Sequence, residues 1–568
     1  MTASCTQGAD HPPLLTQTIG ECLDATISRW PNRDALVSRH QKLRYTWKTF
    51  GEQVDRYARA FMALGLKKGD RVGMWGPNSA EWCITQFATA KAGIVMLNIN
   101  PAYRSHELEY ALKQSGCAWV VCAESFKTSN YPEILIELVP ELRTSAPGEI
   151  HNERLPEFRG AIALAETAPA AGFLTWPALG TRAAETPPAA FTQRQGTLES
   201  NDPINIQYTS GTTGLPKGAT LSHRNLVNNG YMVANSMGFT EADRLVIPVP
   251  LYHCFGMVMG NLGCVTHGAA MIYPAAGFEP EATLLAAAEE KATAIYGVPT
   301  MFIAELEILK HAPVDLSSVR TGIMAGSICP IEVMRQVIDK MNMKGVQIAY
   351  GQTETSPVTT QTSPDDDMEH RTTTVGVTQP HLESKLIDGN GNTVPRGTVG
   401  EYCTRGYAVM LGYWNDPETT AKTIDKDGWL HSGDLGVMGD DGAIRIVGRS
   451  KDMIIRGGEN IYPIEIENFL YTHPAIADAQ VFGIPSDKYG EEVAVWVKLR
   501  PGQSLDTDGL RRFCQQHIAH FKVPSHVKFV DEFPTTVTGK VQKFRMREAA
   551  AQELGLINKG HGADLRHA

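Results

Sequence analysis

Residues 208–218 read YTSGTTGLPKG and hold the densest chemistry in the chain. Two hydroxyls precede a glycine, two more follow it, and a lysine lies near the end of the loop. The glycines allow backbone torsions that turn successive N–H groups towards one anion. The hydroxyls of Thr209, Ser210, Thr212 and Thr213 can donate to phosphate oxygens, and Lys217 adds a positive charge. The string is not a Walker A loop, which needs Gly where Pro216 stands and Ser or Thr where Gly218 stands. A Ser/Thr/Gly turn by itself is usually a plain polar hairpin. The whole string is what points to a phosphate chain.

Three further strings set charged side chains in or beside turns. Tyr350-Gly351-Gln352-Thr353-Glu354-Thr355 follows an apolar run (VQIA) read as a strand. A carboxylate there can hold Mg²⁺ against phosphates, a hard oxygen donor for a hard cation. Residues 428–436 (GWLHSGDLG) hold Asp434 in a tight turn, where a carboxylate can accept both hydroxyls of a ribose. Residues 534–543 (PTTVTGKVQK) carry Lys540 after a Thr-Gly pair. Taken singly, a Thr-Glu pair is a helix start, a Gly-Asp pair a turn and a lysine solvated surface. Their order along one chain overturns those defaults.

In these strings the chain resembles the adenylate-forming superfamily of acyl-CoA synthetases, peptide-synthetase adenylation domains and beetle luciferases, with medium-chain acyl-CoA synthetases the nearer likeness. The resemblance runs from about residue 20 to 550. It implies that a carboxylic acid attacks the α-phosphorus of ATP, expels pyrophosphate and forms acyl-AMP, and that the acyl group then passes to the thiol of coenzyme A. It assigns Thr209, Ser210, Gly211, Thr212, Thr213, Gly214 and Lys217 to the phosphates, and Glu354 with Thr209 to Mg²⁺. Thr353 takes the α-phosphate, Asp434 and Arg449 the ribose, and Ala325, Gly326, Ser327 and Tyr350 the adenine wall, with Gly351 and Gln352 also in the nucleotide site. Lys540 bridges the incoming carboxylate and the α-phosphate. Such a reaction depends on positioning and electrostatics, so loss of that one cation should cost about 2–4 kcal/mol, or about 10²–10³ in rate. A carboxylate is already a nucleophile at neutral pH, and no general base is needed.

The same resemblance implies a second conformation. A small C-terminal domain turns about Lys451, withdraws Lys540 and swings Arg456-Gly457-Gly458-Glu459-Asn460 in to wall the pantetheine tunnel. Pro250-Leu251-Tyr252-His253-Cys254-Phe255-Gly256 matches the segment beside the acid, with His253 at the reacting end and Met257 and Met259 candidates to shape an apolar pocket. Amino-acid-activating relatives carry an Asp just after this segment. Here the string HCFGMVMGNLG has no acid, which favours an aliphatic or arylalkyl acid. The alternative is a stand-alone adenylating enzyme that loads a carrier protein; the 28 residues after Lys540 leave no room for an appended carrier.

The elements that must position these residues alternate in type. From residue 19 to about 122, strands at 71–75, 93–98 and 119–122 alternate with helices at 50–64 and 80–92, the pattern of parallel α/β units. Residues 146–200, rich in Ala, Pro, Thr and Gly, read as a long, mostly exposed connection. Alternation resumes at Ile204 and runs to about Ala349; residues 375–447 read as a small β unit with glycine turns. The expected fold is α/β: a large N-terminal domain over residues 1–450, made of two α/β subdomains plus that β unit. A small, mobile α/β C-terminal domain follows over 451–568.

With 568 residues, 42% hydrophobic and 20% charged, the chain is a multidomain globular protein. A net charge of −10 argues against nucleic acid as a partner. The expected partners are the acid, ATP and CoA, with a homodimer possible by analogy. Ten cysteines without a CxxC pair read as reduced thiols. Cys514, His517 and His520 share helical spacing but lack a fourth metal ligand. The first residues show no basic or apolar leader and no run long enough to span a bilayer, so a cytoplasmic location is expected.

Overall fold

A computed structural model describes residues 2–209, 216–327, 329–535 and 541–556. Two large, mostly parallel sheets dominate. The first orders eight strands as Phe173–Thr175, Gly160–Ala163, Trp119–Cys122, Arg71–Trp75, Val95–Ile99, Pro203–Thr209, Lys217–Ser222 and Gly412–Tyr413. All neighbours are parallel up to Pro203–Thr209, which then turns back into Lys217–Ser222. The second orders nine strands, with Gly345–Gly351, Thr321–Ala325, Ala294–Gly297, Arg244–Val246, Ala270–Tyr273 and Asp34–Ser38 as its parallel heart. Strands such as Trp119–Cys122 (WVVC) and Ala270–Tyr273 (AMIY) are apolar without alternation because both of their faces are buried.

Helices fill the space between. Ala80–Ala92 buries every residue except Glu81, is capped by the Ser79 side chain and stops at Gly93, whose φ is 69°. That stop explains why the next strand begins at Val95 rather than at the glycine. Trp47–Ala63 packs on it, with Trp47, Phe50 and Phe87 meeting edge to face. One hydrophobic cluster joins these helices to His223–Ser236 and to strands of both sheets, so the two α/β subdomains share a core.

The β unit is a five-stranded antiparallel sheet ordered Cys5–Gln7, Leu382–Ile387, Gly400–Gly406, Leu430–Met438 and Ile444–Arg449. After it comes a smaller α/β unit around the long pair Ile476–Ser486 and Gly490–Leu499, with its own core. The fold is therefore α/β, with a large N-terminal part and a small C-terminal one.

Residues 146–200 depart from the sequence expectation. Gly160–Ala163 is fully buried and Phe173–Thr175 pairs beside it, extending the first sheet by two parallel strands. Trp176, Leu179 and Phe191 then anchor short helices on the core, and Trp176 stacks on Tyr57 at 3.8 Å. A four-residue apolar run between Pro-rich stretches has too little periodicity to announce itself. The edge of the neighbouring sheet decides it. Cys5–Gln7, ahead of the first alternating elements, is likewise recruited by the edge strand Leu382–Ile387. All ten cysteines are free thiols, and Cys514 lies in the C-terminal core while His517 packs on Phe469 and Phe513. None of the described helices is long and apolar enough to cross a membrane.

Candidate active site

The strand Gly345–Gly351 runs parallel to Thr321–Ala325, and its C-terminal end delivers Tyr350, Gly351 and then Gln352–Glu354. Ligands of open parallel sheets gather outside such strand ends. The chain folds back here through a hydrogen bond from the Gln352 N–H to the Pro357 carbonyl, 3.0 Å. A Cβ on Gly351 would lie 1.8 Å from that same carbonyl oxygen, so this close approach admits only glycine.

Two carboxylates meet the segment. Asp434, on Leu430–Met438, is 4% exposed, and the antiparallel partner strand sets Arg449 directly opposite it. Its Oδ2 accepts from the Tyr350 hydroxyl at 2.7 Å and from Gln352 Nε2 at 3.1 Å, while Arg449 Nε lies 3.0 Å from Oδ1. Burial, reinforced by the Asp434 charge, pushes the Tyr350 hydroxyl far above its ordinary pKa, so it stays a donor. Burial opposes the Arg449 charge, but Asp434, Asp452 and Tyr350 together outweigh it and raise the guanidinium pKa. Gly433, one residue before, is held on both sides: its N–H donates to Glu401 Oε1 at 3.0 Å and its carbonyl accepts from the Ser450 N–H at 2.9 Å.

Glu354 is the second carboxylate. The Tyr413 hydroxyl donates to its Oε1 at 2.8 Å, and Thr209 Oγ1 lies 3.5 Å from the same oxygen. Thr209 and Lys217 are register partners of an antiparallel strand pair, and Lys217 Nζ sits 5.3 Å from the centre of the Tyr413 ring. Tyr413 thus serves a cation with its face and a carboxylate with its hydroxyl. Burial and then Glu354 raise its pKa, which keeps the hydroxyl protonated. The donor set suits a hard divalent cation, since Glu354 and Thr209 present oxygen only.

Gly326 and Ser327 are exposed at the end of Thr321–Ala325, on the strand next to Tyr350. Thr353 is half-buried in the single turn Thr353–Thr355. His253 is half-buried beside Tyr252, ring centres 4.4 Å apart, where the chain enters the π-helical segment Phe255–Leu262. Such segments recur at functional sites. Phe255 meets Tyr296 at 5.3 Å. Met257 and Met259 are buried, and the Met257 sulfur accepts from Asn98 Nδ2 at 3.1 Å and Gln207 Nε2 at 3.2 Å. Met257 therefore belongs to a buried amide network rather than to a purely apolar lining.

Lys451 is exposed in the turn after Arg449. Gly457 and Gly458, at φ 59° and 89°, form the two-residue turn between Ile454–Arg456 and Glu459–Ile461, a conformation that favours glycine at both places. The Gly457 N–H donates to the Tyr489 carbonyl at 2.8 Å, and the Arg456 guanidinium covers the Tyr489 ring at 4.1 Å, so this turn packs on its own small domain. Ser210, Gly211, Thr212, Thr213, Gly214 and Lys540 lie outside the described residues.

Sequence reasoning missed Tyr413, whose trace is only the string Gly412-Tyr413-Trp414, and it missed Glu401 as the anchor of Gly433. Known proteins align along nearly the whole chain. The family model described as AMP-binding enzyme matches residues 23–414, and that described as AMP-binding enzyme C-terminal domain matches 465–540. A Bacillus subtilis (strain 168) protein, YngI, which carries the name acyl-CoA synthetase, is 47% identical over 544 residues, 96% of this chain and 99% of that one. The mitochondrial medium-chain acyl-CoA ligase ACSF2 of Rattus norvegicus is 44% identical, covering 97% and 90%. Among solved structures, ATP-bound MatB from Rhodopseudomonas palustris superposes with a TM-score of 0.80 at 27% identity, covering 95% of this chain and 100% of that one.

Proposed function

The chain belongs to the AMP-binding enzyme family, and on that footing we propose how its residues divide the work of an ATP-dependent acid:CoA ligase. One observation carries the reading. A single five-residue segment, Tyr350–Glu354, touches the buried carboxylate of Asp434 at one end and ends in the carboxylate of Glu354 at the other. That spacing suits a nucleotide lying across the strand end, ribose towards Asp434 and Arg449, phosphates towards Glu354, Thr209 and Lys217.

Tyr350, Gln352 and Arg449 fix the direction of the Asp434 carboxylate, which accepts the ribose hydroxyls. Gly326, Ser327 and Tyr350 border the base. Thr209, Lys217 and the loop between them hold the phosphates, and Thr353 meets the α-phosphate. Mg²⁺, held by Glu354 with Thr209, supplies charge neutralisation for the phosphates when bound. Lys540 draws the acid's carboxylate and the α-phosphate together for in-line attack, with pyrophosphate leaving. Because the carboxylate arrives as an anion, the chain's task is to orient two anions and neutralise them.

For the second step the small domain turns about Lys451. The clamp on Gly433 supports this reading: Glu401 and Ser450 secure the turn before Asp434, and Ser450 immediately precedes the exposed Lys451, so rotation can begin there without disturbing Asp434. The Gly457-Gly458 turn with Glu459 then lines the approach of the CoA thiol, which attacks the acyl carbonyl and releases AMP. The substrate class is a medium-chain fatty acid or a similar apolar acid. The absence of an acidic residue in HCFGMVMGNLG supports it, as does the name of the ACSF2 relative.

The test is acid-dependent pyrophosphate release over straight-chain acids of increasing length, with branched and aromatic acids alongside. Thioester formation is followed in parallel with CoA and with a phosphopantetheinyl carrier protein. A maximum at intermediate length and thioester with free CoA are expected. No pyrophosphate with any acid would refute adenylation, and thioester only on the carrier would refute the CoA step.

A further inference from the structure

Among the described residues, one group of three or more ligand-type side chains brings its ligand atoms within 4.8 Å of one another: Glu401, Cys403 and His431. Strand pairing creates it. Glu401 and Cys403 are two apart on Gly400–Gly406 and so share a face, and the ladder sets His431 directly opposite Cys403. His431 Nδ1 lies 3.7 Å from the Cys403 sulfur and 3.4 Å from Glu401 Oε2. Its Nε2 lies 3.7 Å from Asp425 Oδ2, and Asp425 is itself fixed by the N–H groups of Asp427 and Trp429. The ring is thus flanked by a carboxylate on each nitrogen, yet a neutral imidazole has one proton to give. Once the Cys403 thiol gives up its proton, its sulfur, His431 Nδ1 and Glu401 Oε2 offer three ligand atoms to one point. A cation there would draw on all three, while Asp425 stands 3.7 Å behind the ring, outside direct hydrogen-bond reach.

We propose that Glu401, Cys403 and His431 form a site for a thiophilic divalent cation of the zinc class, coupled through Glu401 to the Gly433–Asp434 turn. The side chains of His431 and Glu401 are 31% and 29% exposed, so a cation can enter from solvent. Burial, with Glu401 adding to it, pushes the Cys403 thiol up to about 12, so binding exchanges its S–H bond for a sulfur–metal bond and releases that proton to solvent. Lys385, paired opposite Cys403 on the neighbouring strand and stacked 4.2 Å over Trp429, is the charge that opposes the cation, against Glu401 and Asp425. The other oxygen of Glu401 holds the Gly433 N–H, so a cation drawing on that carboxylate weakens the hold on the turn that carries Asp434.

The probe is Co²⁺ added to the reduced, full-length protein. A near-ultraviolet thiolate-to-cobalt band is expected in wild type, lost in Cys403→Ser and retained in Cys5→Ser, which removes the exposed thiol. Should Cys403→Ser fail to fold, His431→Gln serves instead, read by Zn²⁺ competition against a chromogenic chelator. AMP, titrated without magnesium, should bind severalfold more weakly with Zn²⁺ in wild type and equally in Cys403→Ser. A wild type without the band, as for a ring that is merely protonated, overturns the site. So does a band that survives Cys403→Ser or disappears with Cys5→Ser. An AMP affinity indifferent to Zn²⁺ overturns the coupling.

Discussion

Removing one oxygen atom tests the geometry around Glu354. Tyr413→Phe deletes the hydroxyl that donates to Glu354 Oε1 at 2.8 Å but keeps the ring beneath Lys217. A hydrogen bond to a charged group contributes about 1.5–3 kcal/mol, and Glu354 is partly open to solvent, so the lower end applies. At about 1.4 kcal/mol per factor of ten, adenylation should lose about tenfold in kcat/KM. Thr209, 3.5 Å from the same oxygen, is too distant to replace the lost donor. Tyr413→Leu also removes the cation–π contact, a further 0.5–1 kcal/mol or so, and should lose about two- to fivefold more. The assay is acid-dependent pyrophosphate release as a function of magnesium concentration, beside conversion of supplied acyl-AMP and CoA to thioester. The loss should be largest at limiting magnesium and absent from the thioester step. A folded Tyr413→Phe protein with wild-type pyrophosphate release at limiting magnesium, or with both half-reactions lowered alike, refutes a role for Tyr413 in orienting Glu354.

Lys540→Ala should lower acyl-AMP formation by about 10²–10³ while supplied acyl-AMP and CoA still give thioester; equal loss of both half-reactions would contradict the division proposed. Glu305, on the helix Pro299–Leu309, is fully buried with no hydrogen-bond partner among the described residues on either carboxylate oxygen, and burial raises its pKa well above the ordinary value. The unfolded chain ionises from its ordinary pKa of about 4.3 while the folded one does not, so unfolding releases a proton and stability falls as pH rises above that point, up to the raised folded value. Glu305→Leu should therefore raise Tm more at pH 8 than at pH 4.5, by the equivalent of about 1–3 kcal/mol at the higher pH, and an equal shift at both would count against the argument. Gly351→Ala drives a methyl into the Pro357 carbonyl and should cost about 3 kcal/mol and most of the adenylation activity, read by thermal unfolding and pyrophosphate release; a wild-type Tm would mean the backbone gives way easily.

The candidate chemistry was legible in the sequence alone, because each motif states its demand within a few residues. The glycine-hydroxyl-lysine string, the carboxylate after Tyr350-Gly351 and the Asp in its glycine turn need only their immediate neighbours to be read. The α/β class was legible for a similar reason, since the buried strands are short continuous apolar runs between helical stretches. Tertiary structure decided everything that depends on sheet order and register. Tyr413 reaches Glu354 across 59 residues, and Cys403 faces His431 across 28, only because particular strands lie side by side at a particular offset. The same cause turned residues 146–200 from a loop into a sheet edge and gave Cys5–Gln7 a partner at Leu382–Ile387. A backbone ladder forms wherever an edge offers unpaired N–H and carbonyl groups, and that offer is made by residues far away in the chain, so no local pattern encodes it.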